Sequence, residues 1–145
     1  MLLNKETIIN GLTQFAKDYR IPLDQIAIGG GAALVLMGVR KETADLNIWV
    51  DDEHYLALAD KYKVIVRAWH DTVVNPEGTL VWVRRRNHYF KTVDLYGLKV
   101  FDVISLVVQK RGSLLDHLRN KEKQIQDRKD IYGLNELMSV VNKVV

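Results

Sequence analysis

The chain has 145 residues, 48% of them hydrophobic and 27% charged, with a formal net charge of +3. That length suits one domain with a sizeable core, and the composition is too apolar for a disordered chain and too mixed for a fibrous one. Because it has no cysteine, disulfide frameworks, Cys-based zinc sites, iron–sulfur clusters and thiol nucleophiles are excluded. No run approaches the roughly 20 apolar residues of a membrane-spanning helix. The first six residues lack the basic-then-apolar order of a signal peptide, so the expected setting is cytoplasmic, without a membrane partner.

Residues 4–19 space Ile8, Leu12, Phe15 and Ala16 along one side of a helix, with Glu6 in its first turn and Pro22 beyond its end. A short apolar strand at 26–28 runs into Gly29-Gly30-Gly31, and a second helix is expected over 32–37, ending at Gly38. Residues 46–50 alternate as a strand. Asp51-Asp52 then caps a helix over 53–61, with Tyr55, Leu56, Leu58 and Ala59 inward. Residues 63–68 alternate as another strand, Asn75-Pro76-Glu77-Gly78 forms a turn, and 80–83 returns as the hairpin partner. Extended segments are expected at 91–95 and 98–103, and helices over 104–110, 113–123 and 128–141. This order predicts an α+β fold, a mixed β-sheet flanked by helices with a C-terminal helical segment. It reads as a single domain over 1–145, with the sheet-containing core in 1–103 and helices over 104–145.

Charge is uneven along this order. Residues 1–60 carry five basic and nine acidic side chains, whereas 61–91 carry seven basic and two acidic, centred on Arg84-Arg85-Arg86. An acidic section beside a basic one suits a site for a metal ion and an anionic substrate, although clustered surface charge gives the same pattern. The arginine run leads into His88-Tyr89-Phe90, and cations mixed with rings can hold a nucleic-acid backbone and stack a base. A strand end exposing arginines to water reads the same way. The four histidines show no metal-ligand spacing, and the tryptophans at 49, 69 and 82 fall in strands, as core residues do.

Residues 26–50 carry the most chemistry. Glycines at a strand-to-helix turn let backbone N–H groups approach an anion. Asp45 and Asn47 share one side of the next strand, where both could reach a common cation. A phosphate cradle beside oxygen donors for a metal is the machinery of phosphoryl or nucleotidyl transfer. A glycine-rich turn beside a solvated strand end would show the same spacing.

The run from Gly30-Gly31 through Gly38, then Thr43-Ala44-Asp45-Leu46-Asn47-Ile48-Trp49-Val50, resembles the nucleotidyltransferase-fold signature. That superfamily includes DNA polymerase beta, CCA-adding enzymes and small stand-alone proteins of the abortive-infection and toxin–antitoxin type. The resemblance aligns Gly30 and Gly31 with the family's diglycine, Gly38 with its helix-ending glycine, Arg40 or Lys41 with its basic position, Thr43 with its threonine and Asp45 with its first acid. A weaker likeness covers the tail, where 100–110 is followed by Arg128-Lys129-Asp130.

The resemblance implies a nucleoside triphosphate held by Gly30, Gly31, Arg40, Lys41 and Thr43, with Lys110 and Lys129 as further phosphate contacts. It implies Mg²⁺ or Mn²⁺ on Asp45 and Asn47, with Asp94 the best candidate and Asp71 the second for the family's third acid. The acceptor would be an RNA or a protein hydroxyl, reached through Arg84, Arg85 and Arg86. One departure stands out: Asn47 occupies the place of the family's second aspartate, which keeps an oxygen donor and removes a negative charge. Two functions follow, a minimal nucleotidyltransferase or a degraded copy that binds a nucleotide, RNA or protein partner without turnover.

Overall fold

The structure, a computed structural model, describes residues 2–44, 46–61, 65–68, 71–74, 81–86, 89–115 and 120–144; of these, 59–61, 65–68, 71–74 and 140–144 are described by backbone alone. Asp45 and the expected turn at 75–78 lie outside the described residues. The chain divides into two compact units, Met1–Phe101 and Asp102–Val145.

The first unit opens with α1 (Lys5–Tyr19), whose Asn4 cap accepts from the Thr7 N–H at 3.0 Å while its own N–H donates to Thr7 Oγ1 at 2.8 Å. The apolar stripe is as spaced in sequence: Ile8, Leu12, Phe15 and Ala16 are buried. Arg20 ends the helix in the left-handed region. A 3-10 turn at Leu23–Gln25 leads into β1 (Ala27–Gly29), which passes directly into α2 (Gly30–Leu36). Then follow β2 (Leu46–Val50), α3 (Asp52–Lys61), β3 (Ile65–Ala68), β4 (Asp71–Val74), β5 (Val81–Arg85), β6 (Thr92–Leu95) and β7 (Leu98–Phe101).

These strands form one mixed sheet in the order β3-β4-β5-β2-β1-β7-β6. β2 lies antiparallel to β1 and parallel to β5, and β1 is parallel to β7. The period-2 alternation then sorts the sheet into two faces. Ile28, Leu46, Ile48, Val50, Val81, Val83, Leu98 and Val100 share one face, and all are buried. α1 lies on it, with Gly11 close to the Leu46 side chain. α3 also packs there, and Arg85 reaches from the sheet to Asp52 (3.8 Å) and over the Tyr55 ring (4.9 Å). The opposite face carries two rows set by the register. One runs Trp82, Asn47, Gly29, Phe101 and Thr92, and the other Arg84, Trp49, Ala27, Lys99 and Asp94. The rings of Trp49 and Phe101 meet over Gly29, with centroids 4.6 Å apart.

Three expectations change. The second helix begins at Gly30 rather than at 32, so the glycines belong to its first turn. The hairpin partner of 63–68 is not 80–83: β3 pairs antiparallel with β4, and β4 with β5. Asp71–Val74 is too short to show a period in sequence, and it takes the place between them. In the C-terminal half, helices over 104–110 and 113–123 give way to α4 (Val103–Leu114), continuous through Gly112. A glycine inside a helix costs about 1 kcal/mol, which the buried side of α4 outweighs.

The second unit consists of α4 and α5 (Lys121–Val144). Asp102 caps α4 by accepting from the Ser105 N–H at 2.8 Å, and Asn120 accepts from the Lys123 N–H at 2.9 Å at the start of α5. Leu106 and Leu134 are fully buried. Between the helices, Lys110 Nζ lies 3.3 Å from Asp127 Oδ1 and 3.2 Å from Asp130 Oδ2. Both aspartates are 1% exposed and Lys110 is 7% exposed. Gln126 donates to Asp130 Oδ1 at 2.7 Å. No helix among the described residues is long and apolar enough to cross a membrane.

A lysine between two buried carboxylates is tolerated only while all three are present. Lys110→Met should destabilise the chain by about 3–5 kcal/mol, because it leaves two carboxylates in a dry place without their cation. Lys129→Met, at an exposed position of α5, should change stability by less than about 0.5 kcal/mol. Urea unfolding midpoints measure both.

Candidate functional site

The turn from β1 into α2 is where the sequence motifs converge. Gly30 has φ +58°, a conformation that a side chain disfavours, and it lies against Asn47: a Cβ there would stand 3.0 Å from Asn47 Nδ2 and 3.4 Å from its Cβ. At Gly31 a Cβ would collide with Thr43 Oγ1 and stand 2.8 Å from Arg40 Nη1. The two glycines therefore bring three sequence-distant polar side chains, from Arg40, Thr43 and Asn47, onto one turn.

Local structure holds those side chains there. α2 closes with Gly38 at φ +81°, and the N–H groups of Val39 and Arg40 donate to Leu34 O at 2.9 and 3.3 Å. This turns the chain back along α2, so Arg40 reaches the helix start. Thr43 is then pinned by a two-way bridge to Leu3, with N–H to O distances of 2.9 and 2.7 Å. Thr43 is buried, Arg40 and Asn47 are half-buried, and Lys41 is exposed. The arrangement offers a guanidinium, a hydroxyl, an amide and the backbone of a glycine turn, all of which can face an anion.

The other candidate residues are distributed differently. Asp94 is on β6, three strands from β2, and forms an ion pair with Lys99 at 2.6 Å. Asp71 begins β4. β5, the strand beside β2 on its far side, sets Trp82 opposite Asn47 and Arg84 opposite Trp49. Residues Val81–Arg85 include no carboxylate. The three arginines do not act from one face: Arg84 lies 5.4 Å over the Trp49 ring, while Arg85 faces α3. The Arg86 N–H donates to Val50 O at 2.8 Å. In the other unit, Lys110 is held between Asp127 and Asp130, and Lys129 is exposed on α5.

Only the crossover through α3, β3 and β4 brings β5 beside β2, so the pairing of Trp82 with Asn47 is not visible in sequence. Among the described residues, which exclude Asp45, no group of three His, Asp or Glu side chains could hold a metal ion.

No protein-family model matches the chain, and no curated protein matches it in sequence. Solved structures do match in fold. A candidate nucleotidyltransferase from Thermotoga maritima aligns with a TM-score of 0.55 at 15% identity, over 78% of this chain and 89% of that one. The Megavirus polyadenylate synthase aligns with a TM-score of 0.60 at 12% identity, over 91% of this chain, which spans only 31% of the viral protein. The chain thus has a nucleotidyltransferase-like α+β fold.

The closeness of Gly31 to Thr43 makes it the least replaceable residue of the turn. Gly31→Ala should destabilise the protein by about 1–3 kcal/mol, since the Arg40 side chain can move aside but the pinned Thr43 cannot. A matched Gly97→Ala substitution meets no atom within 4 Å and tests only the strain of its positive φ. Thermal unfolding of the two variants should rank Gly31→Ala as the less stable.

Proposed function

We propose that this chain binds a nucleoside triphosphate at the β1–α2 turn, as a minimal protein of the nucleotidyltransferase type. The observation that carries the reading is the convergence of Arg40, Thr43 and Asn47 on Gly30-Gly31. In this reading the glycine backbone and the Thr43 hydroxyl donate to phosphate oxygens, Arg40 neutralises their charge, and Lys41 adds a second cation from the exposed rim. Asp45 and the Asn47 amide oxygen would hold a single Mg²⁺ or Mn²⁺ carried by the phosphates. Such an ion supplies charge neutralisation at the phosphoryl oxygens. The activity that the fold resemblance implies is transfer of the nucleoside monophosphate to an RNA or protein hydroxyl, with release of pyrophosphate. Arg84, on the same face as Asn47, is the arginine best set to meet a polyanionic acceptor.

A second reading, binding without turnover, is favoured by one specific observation. Asn47 stands where the resemblance expects the family's second aspartate, and its β5 neighbour is Trp82 rather than a carboxylate. A nucleotide would then serve as a signal or a structural ligand, and an RNA or a protein would be the regulated partner.

One experiment separates the readings. The purified chain is incubated with each labelled triphosphate, Mg²⁺ or Mn²⁺, and mixed cellular RNA and protein, beside Asp45→Ala, Asn47→Asp and Arg40→Ala. Label transfer that disappears in Asp45→Ala supports the enzyme. Triphosphate binding with no transfer supports the binding module. Arg40→Ala should weaken triphosphate binding about tenfold or more, the worth of a charge-assisted hydrogen bond. A chain that neither binds nor transfers any triphosphate would contradict both readings. If RNA is the acceptor or partner, its affinity should fall steeply with salt, and Arg84→Ala should flatten that slope.

A further inference from the structure

The N-terminal segment is anchored at three consecutive residues, each by a different interaction. Leu3 is buried, at 4% exposure. Asn4 caps α1 through Thr7. Lys5 Nζ donates to the Tyr96 hydroxyl at 3.3 Å and lies 4.4 Å over the same ring, which ties the start of α1 to the turn between β6 and β7. From this fixed segment the Leu3 backbone reaches Thr43. Its N–H donates to Thr43 O at 2.7 Å, and the Thr43 N–H donates to Leu3 O at 2.9 Å.

That bridge satisfies both backbone polar groups of Thr43, so the hydroxyl is the donor that this residue has left for an anion. With the main chain held, the direction of the hydroxyl rests on one torsion, χ1, which is stiff in threonine. Lys41, Glu42 and Ala44 around it are exposed, so its neighbours in sequence pack it little, whereas Thr43 itself is 4% exposed. Across from it stands Gly31, where a Cβ would collide with Oγ1. The hydroxyl is thus brought to the first turn of α2 from the far end of the chain. Hydrogen bonds weaken steeply with misalignment, so the same hydroxyl on an unanchored loop would contribute little.

We propose that Leu3 is a positioning residue for the phosphate site, acting through the Thr43 hydroxyl. This rests on the triphosphate-binding reading above and adds what holds one of its donors in place.

The test is calorimetric titration of the full chain with inorganic tripolyphosphate, the part common to every nucleoside triphosphate. Thr43→Val keeps the backbone bridge and removes the hydroxyl, and should weaken binding about tenfold. Leu3→Pro removes the N–H donated to Thr43 O, and should weaken binding about fivefold or more. Leu3→Ile keeps that N–H and an apolar side chain, and should bind as the unaltered chain does. In the double variant the hydroxyl is already gone, so Leu3→Pro should add no more than about twofold to the effect of Thr43→Val. If Leu3→Pro weakens binding as much in the Thr43→Val chain as in the unaltered one, its effect is a general loosening and the proposal falls. If Leu3→Pro binds as the unaltered chain does while Arg40→Ala loses affinity, Leu3 positions nothing and the phosphate reading stands. If the unaltered chain does not bind tripolyphosphate, the underlying reading fails and takes the proposal with it. Should Leu3→Pro not fold, amide hydrogen exchange of the unaltered chain decides. Tripolyphosphate should slow exchange at Thr43, whose N–H lies in the bridge, and an unchanged rate there overturns the proposal.

Discussion

At the junction of β1 and α2 three consecutive residues must do without side chains, and each for a different neighbour. Gly29 lies beneath the rings of Trp49 and Phe101, where a Cβ would come within 2.6 and 2.7 Å of ring carbons. Gly30 turns the backbone through a positive φ against Asn47, and Gly31 admits Thr43 and Arg40. One tripeptide thereby sets the spacing of the aromatic face, the approach of β2 and the return of the chain after α2. Interiors packed at crystal-like density absorb added atoms poorly, so a methyl group at any of these positions would be felt by the other two.

Much of this junction was legible in sequence because its parts are local. The helix α1, the strand β2 and the glycine turn each announce themselves within a short window, by stripe, by alternation or by residue type. The grouping of Gly30 and Gly31 with Thr43 and with Arg40 or Lys41 came from the family resemblance. What sequence did not disclose depends on pairing across the sheet. β4 has four residues, too few for a period, so β5 was matched to the wrong neighbour. Nothing local to Trp82 reveals that β5 lies parallel to β2 and sets it opposite Asn47. Lys110 read as a phosphate contact from a weak tail likeness, whereas its surroundings are two aspartates that lie on the next helix.

The two solved relatives in fold share 15% and 12% of residues with this chain. Likeness at that level preserves the pattern of buried positions more than the donors set upon it, and chemistry belongs to the donors. Here the side chains at the turn favour anions, with Arg40 and Lys41 near it and Arg84 two residues along from Trp82. On the same sheet face Asp94 is paired with Lys99.

β2 borders both an earlier strand, β1, and a much later one, β5, to which it runs parallel. A parallel neighbour cannot form through a tight turn; it waits until α3, β3 and β4 have closed the intervening loop. Contacts of this kind slow folding, since entropy is spent before any pairing rewards it. Because Asn47 and Trp82 meet only across that late seam, the face they share is absent from any intermediate in which β1, α2 and β2 have assembled alone. A ligand that spans the seam would bind only the finished sheet, and would draw the folding equilibrium toward it in proportion to its concentration.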